Sequence, residues 1–142
     1  MQVKIKRIDP DLPLPRPETD GAAGFDLITR EDTTVEPGKF GLVPANVIVE
    51  VPRGYALIVS ARSSTPKRTG LVLPHGIGII DSDYRGDDDE IKVQVWNTTD
   101  APVTVARGDR IAQGILLKIE PVSWLVETET FGATRGGFGS TG

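Results

Sequence analysis

The chemistry available to this chain is concentrated in five short polar clusters set off by glycine: Ala23-Gly24-Phe25-Asp26-Leu27, Ala61-Arg62-Ser63-Ser64, residues 76–86, Gly108-Asp109-Arg110-Ile111-Ala112-Gln113, and residues 135–142. They offer carboxylates, guanidinium groups and hydroxyls. One histidine and no cysteine exclude a Cys/His metal site, and a Ser-His-Asp triad would have to use His75. No GxxxxGKS/T loop is present, so P-loop chemistry is excluded as well. Taken singly, the clusters have ordinary explanations: Gly-Asp-Arg before an apolar run reads as a turn entering a strand, and a serine-rich stretch reads as a solvated loop. Residues 76–86 are different. Their β-branched run ends in Asp81-Ser82-Asp83-Tyr84 between glycines, which predicts a hairpin presenting a carboxylate and an aromatic ring beside exposed backbone, although an Asp-rich turn fits the same residues.

The elements that must position these residues are short. A chain of 142 residues, 38% hydrophobic and 25% charged, is sized for one core, and no apolar run approaches the ~20 residues that span a bilayer. The N-terminus lacks the apolar segment and small-residue cleavage site of a secretory signal, and without cysteine there are no disulfides; a cytoplasmic location is expected. The Asn97-Thr98-Thr99 sequon follows a strand-like run and is read as chance. A net charge of −4 argues against stable nucleic-acid binding, so an anionic ligand needs a local cluster of cations.

The chain has 16 glycines and 11 prolines between Val-, Ile- and Leu-rich runs, the pattern of many strands joined by turns. Strands are predicted over residues 3–8, 24–29, 40–44, 47–51, 56–60, 90–97, 103–106 and 110–119. Residues 90–97 alternate polar and apolar, the mark of a strand with one buried face. One short helical turn is predicted near residues 63–68, with Pro66 in its first turn. The class is all-β: a sandwich, jelly roll or distorted barrel. Four glycines among the last eight residues predict a tail that is mobile unless a ligand or neighbour orders it.

In this order and at these separations, the five clusters resemble the five motifs of the homotrimeric deoxyuridine triphosphatase (dUTPase) family, over residues 23–142. The resemblance implies a jelly-roll-like distorted barrel over residues 1–131, with a flexible C-terminal arm over 132–142 completing an active site of the trimer. It implies hydrolysis of dUTP to dUMP and pyrophosphate, which keeps uracil out of DNA and supplies dUMP for thymidylate synthesis. By position, Asp81 matches the base that orients the water attacking the α-phosphorus, and positioned bases of this kind contribute ~10²–10⁴-fold. Tyr84 matches the aromatic residue under the sugar, leaving no room for a ribose 2′-hydroxyl. The hairpin backbone before Asp81, with Gly78 and Ile80, meets the uracil edge, where an amino group in place of O4 would leave polar groups unpaired. Arg62, Ser63, Ser64 and Gln113 match the phosphate-binding residues. In the arm, Phe138 would stack on uracil, while Gly139, Ser140 and Thr141 reach the phosphates. Asp26 matches a residue near the phosphate and metal region, supporting arginine or metal-bound water. The implied cofactor is Mg²⁺, held by substrate phosphates and water with no direct protein ligand.

Three features depart from the family pattern. His75 stands where an asparagine is common, six residues before Asp81; it is read as serving the hairpin through its backbone. The run Asp87-Asp88-Asp89-Glu90 follows the third motif and is read as a solvated turn. Arg135 precedes Phe138 by three residues rather than five, and the two missing residues displace its reach relative to the γ-phosphate by ~7 Å if extended. Two other readings carry different chemistry: a dCTP deaminase, or bifunctional deaminase and dUTPase, of the same fold, and a non-catalytic nucleotide-binding regulatory trimer. Deaminases typically lack the glycine-rich phenylalanine tail, and a pure binder needs no water-activating base.

Overall fold

Aliphatic runs closed off by glycine, proline and aspartate form eleven strands and one helical turn in the computed structural model, which describes residues 1–128, 132, 133 and 136. A four-stranded sheet has the order β2 (Phe25–Leu27), β11 (Ala112–Lys118), β6 (Tyr55–Ala61) and β8 (Ile77–Ile80). A three-stranded sheet has the order β4 (Phe40–Pro44), β9 (Lys92–Asn97) and β7 (Leu71–Val72). Two ribbons, β1 (Ile5–Arg7) with β5 (Val47–Val49) and β3 (Thr33–Val35) with β10 (Val103–Val105), complete the set, and every pairing is antiparallel. The inward residues of all these sheets, among them Leu27, Val35, Val43, Val47, Leu57, Val59, Leu71, Val93, Val95 and Val105, join in one apolar cluster. The result is the all-β, jelly-roll-like arrangement expected from the turn-punctuated sequence.

Strand β9 buries Val93, Val95 and Asn97 and exposes the residues between them, as its period of two requires. Strands β3 and β7, of three and two residues, are too short to show any period. The predicted helical turn is α1 (Thr65–Thr69), with proline in its first turn and Gly70 as a left-handed C-cap at φ 71° whose N–H donates to the Pro66 carbonyl. It starts two residues later than the predicted 63, so Ser63 and Ser64 precede the helix. The Thr65 hydroxyl donates to the Ile111 carbonyl at 2.6 Å and ties the helix to the chain entering β11.

The acidic run at 87–90 departs from its reading as a solvated turn. Asp87 and Asp88 are exposed, but Glu90 is buried, takes Nε and Nη2 of Arg30 at 2.9 and 3.2 Å, and accepts the Asn46 N–H at 2.9 Å. A buried carboxylate of this kind persists because it is paired and fully hydrogen-bonded. Asp89 accepts the Gly86 N–H at 2.6 Å and closes the turn. Asn97 of the sequon is fully buried, its amide donating to the carbonyls of Val35 and Ala101 at 2.8 Å each, so its nitrogen is a structural tie.

Among the described residues no helix is long and apolar enough to cross a membrane. Except for Gly132, Ala133 and Gly136, the arm expected over 132–142 lies outside the described residues.

Candidate active site

One part of the site is built on the row where β2, β11 and β6 meet. Gln113 on β11 stands opposite Asp26 on one side and Ser60 on the other. Two glycines permit this approach: a methyl group at Gly24 would collide with the Gly114 carbonyl oxygen and lie 2.9 Å from Cγ1 of Ile115, and one at Gly114 would lie 2.8 Å from Cζ of Phe25. Asp26 is therefore drawn close to the end of β6, where Arg62 begins the loop into α1. The Arg62 N–H donates to the Ile111 carbonyl at 3.0 Å, its Nη1 donates to the Arg110 carbonyl at 3.2 Å, and its Nε lies 3.0 Å from Oδ1 of Asp26.

Asp26 is nearly buried, and Nη1 of Arg110 stands 3.4 Å from its Oδ2, which accepts no hydrogen bond. Arg110 also pairs with Glu18 from the N-terminal loop. Glu18, Gly24, Asp26, Arg62, Ser63 and Gln113 line a cleft of about 300 Å³. A chain of net charge −4 thus places the Arg62 guanidinium, a hydroxyl and an amide at one cleft, with Arg110 beside it and paired to two of its carboxylates, a local condition for holding phosphate oxygens. Ser64 adjoins the cleft residues as the residue capping α1. Gln113 Nε2 is directed to the Ala61 carbonyl at 3.4 Å.

The other part is the hairpin. Strand β8 is the open edge of its sheet, so the backbone groups facing away from β6 are available to a ligand. It carries Gly78 and Ile80 and delivers Asp81, whose side chain is exposed, into a turn in which the Tyr84 N–H donates to the Asp81 carbonyl at 3.3 Å. The Tyr84 hydroxyl donates to the Glu90 carbonyl at 3.3 Å. Because Glu90 is held by Arg30, the buried ion pair fixes the ring of Tyr84 from behind. Arg85 donates to Glu50 at 2.8 Å; Lys4 first and Arg85 second hold the Glu50 carboxyl below its ordinary pKa. His75 is exposed, and its Nε2 stands 3.6 Å from where a side chain at Gly78 would begin.

The family model for dUTPase matches residues 11–142 of this chain. The chain belongs to the dUTPase family. It is 43% identical over its whole length to the deoxyuridine 5′-triphosphate nucleotidohydrolase of Thermobifida fusca, covering 79% of that protein. The corresponding protein of an Anaeromyxobacter species is 44% identical over 99% of this chain and 97% of its own. Among solved structures, the dUTPase of Streptococcus mutans superposes with a TM-score of 0.78 at 34% identity, over 84% of this chain and 98% of that one. The dUTPase of phage phi11 of S. aureus, which coordinates a structural Mg(II) ion, shares the fold at a TM-score of 0.80 and 20% identity, over 91% and 98% of the two chains.

In this dUTPase-family chain the residues singled out in sequence fall into two groups. Asp26, Arg62, Ser63 and Gln113 share a cleft; His75, Gly78, Ile80, Asp81 and Tyr84 share the hairpin. The two are not brought together at Asp81. Ile80 pairs with Leu57, so Asp81 leaves at the start of β6, whereas Arg62 follows its end, roughly 20 Å of strand away. Arg135, Phe138, Gly139, Ser140 and Thr141 lie outside the described residues.

Two residues of this dUTPase-family site carry no role in the sequence reading. Arg110 stands inside the Gly-Asp-Arg cluster, read there as a turn, and Glu18 lies in a loop with no local signal. Arg107, by contrast, is structural: it pairs with Asp9 at 2.7 Å while its N–H donates to Asp32. No group of three or more metal-ligating side chains occurs among the described residues. The Asp26 carboxylate is flanked by two guanidinium groups.

Proposed function

We propose that the chain hydrolyses dUTP to dUMP and pyrophosphate. The observation that carries this reading is an open-edge strand that ends on an exposed carboxylate: β8 offers unpaired backbone to a base edge and Asp81 to a water beside the attached sugar. Asp81 takes a proton as the water oxygen bonds to the α-phosphorus, and the bond from that phosphorus to the bridging oxygen of the β-phosphate breaks to release pyrophosphate. Backbone around Gly78 and Ile80 pairs with the uracil edge, with His75 serving the hairpin through its backbone. Tyr84, fixed through Glu90, packs on the deoxyribose and excludes a 2′-hydroxyl. Arg62, Ser63, Ser64 and Gln113 hold the phosphates, and Asp26 orients Arg62. In the arm, Phe138 covers the base while Arg135, Gly139, Ser140 and Thr141 reach the phosphates.

When bound with the substrate phosphates, Mg²⁺ would supply charge neutralisation in the transition state. Asp26 would fit a supporting role there, its carboxylate lining the cleft between the guanidinium groups of Arg62 and Arg110.

The working unit is a homotrimer with shared sites. The separation of Asp81 from Arg62 along β6 supports this, since one triphosphate must meet both. So does the segment Trp124-Leu125-Val126, 87%, 85% and 82% exposed in the single chain, an apolar stretch of the kind that marks an interface. The enzyme works on the cytoplasmic nucleotide pool and needs neither a membrane nor a stable nucleic-acid complex.

Pyrophosphate release from dUTP, UTP, dCTP and dTTP, with and without Mg²⁺, tests the proposal. Rapid release is expected from dUTP alone and only with the metal. Ammonia release from dCTP would identify a deaminase instead, and binding of dUTP without turnover would identify a regulatory protein.

A further inference from the structure

The phosphate cleft contains a carboxylate that its proposed role does not require. The charges alternate in the order Glu18, Arg110, Asp26, Arg62; Glu18 and Asp26 line the cleft with Arg62, Ser63 and Gln113, and Arg110 stands beside it, paired to both carboxylates. The two ends of this chain of charges differ in strength. The side chains of Asp26 and Arg62 are 11% and 29% exposed, a pair shielded from solvent, whereas those of Glu18 and Arg110 are 58% and 42% exposed. Exposed pairs are weak and readily exchanged, while guanidinium–phosphate bonds are charge-assisted and can be bidentate.

We propose that Glu18 is an internal competitor for the phosphate site, occupying Arg110 until a polyphosphate anion displaces it and takes Arg110 over. This rests on the reading of the cleft as the phosphate site. Repulsion between the arriving anion and the Glu18 carboxylate drives the exchange, and Asp26 keeps Arg110 at the cleft while it changes partner. The displaced side chain has somewhere to go. Glu18 also lines a neighbouring cleft of about 640 Å³ with Leu14, Arg16 and Arg110, where Arg16 supplies another cation. The exchange trades one anion for another at Arg110, so Glu18 lowers affinity for both substrate and pyrophosphate and hastens release of the product.

The test is calorimetric titration of inorganic pyrophosphate into the full chain and its Glu18→Gln variant at low and moderate ionic strength, with KM for dUTP measured in parallel. Glu18→Gln is expected to bind pyrophosphate about three- to tenfold more tightly, from loss of one exposed competing pair, and to lower KM by a similar factor. Its affinity should also fall more steeply with salt, because no protein carboxylate is released on binding. Glu18→Ala must move in the same direction. Unchanged or weaker pyrophosphate binding in both variants, the result if Glu18 merely braces Arg110, overturns the proposal while leaving dUTP hydrolysis intact. A wild-type chain that releases no pyrophosphate from dUTP overturns the proposed function, and this inference with it.

Discussion

Asp81 and Asp26 are both carboxylates within glycine-flanked motifs, yet their surroundings differ. Asp81 is exposed, and among the described residues its side chain has no hydrogen-bond or ion-pair partner. Its removal therefore has little to cost in stability. Asp81→Asn is expected to lower kcat by about 10²–10⁴-fold with an unchanged thermal midpoint, read by pyrophosphate release and calorimetry. Turnover that persists would remove Asp81 as the base. Asp26 is buried between Arg62 and Arg110, so Asp26→Asn leaves two guanidinium groups short of their counter-charge. That change is expected to cost about 1.5–3 kcal/mol of folding stability and to raise KM, because Arg62 is no longer held toward the cleft. A variant as stable as the parent, with unaltered KM, would show that Arg62 is placed by its two backbone contacts alone.

At the scale of elements, the site depends on how closely β2 lies against β11. The Gly24 position faces the Gly114 carbonyl oxygen directly, and backbone cannot yield as the end of a side chain can. Gly24→Ala is expected to push β2 away, costing about 1–3 kcal/mol, and to raise KM as Asp26 moves from its place opposite Gln113. Denaturant unfolding and steady-state kinetics on one preparation would check both; a stable variant with normal KM would mean the strands adjust without moving Asp26. The hairpin is positioned differently. Arg30, Glu90 and Asn46 form a buried polar tie, and the Glu90 carbonyl receives the Tyr84 hydroxyl, so a residue that resembles a solvated turn in sequence supports the aromatic ring of the site.

At the scale of the whole molecule, the proposed sharing of sites between chains makes a prediction about mixtures. Asp81→Asn and Arg62→Met chains, each inactive alone, are expected to recover a fraction of wild-type turnover when unfolded and refolded together, since some sites of a mixed trimer draw both residues from intact chains. No recovery at any ratio would place a complete site within one chain. Stability against acid follows from the surface pairs. Arg107 lowers the pKa of Asp9, Lys4 and then Arg85 lower that of Glu50, and Lys6 lowers that of Asp87. Carboxyls depressed in the folded state stabilise it above their ordinary pKa values, and that contribution is lost as pH falls through the folded values. The thermal midpoint is expected to hold down to about pH 4 and to fall below it, with a shallower fall in high salt because these ion pairs lie at the surface. A midpoint that declines equally at both ionic strengths would show that these pairs do not set the acid limit.

The residue types along this chain were enough to determine its class, and the order and spacing of its five polar clusters its resemblance to the dUTPase family. Period two and turn residues specify strands wherever a run is long enough to alternate, as in β9, and glycine-flanked Asp81, Arg62, Ser63 and Gln113 can be picked out because their types are scarce and clustered. Folding decided what depends on neighbours distant in sequence. Glu90 is indistinguishable from Asp87 and Asp88 until Arg30, sixty positions away, lies beside it. Glu18 comes to line the phosphate cleft, with Arg110 beside it, only once the N-terminal loop lies against the chain entering β11. That Asp81 and Arg62 sit at opposite ends of one strand is a matter of register, which no local pattern records: it is set by how β6 and β8 pair across the sheet.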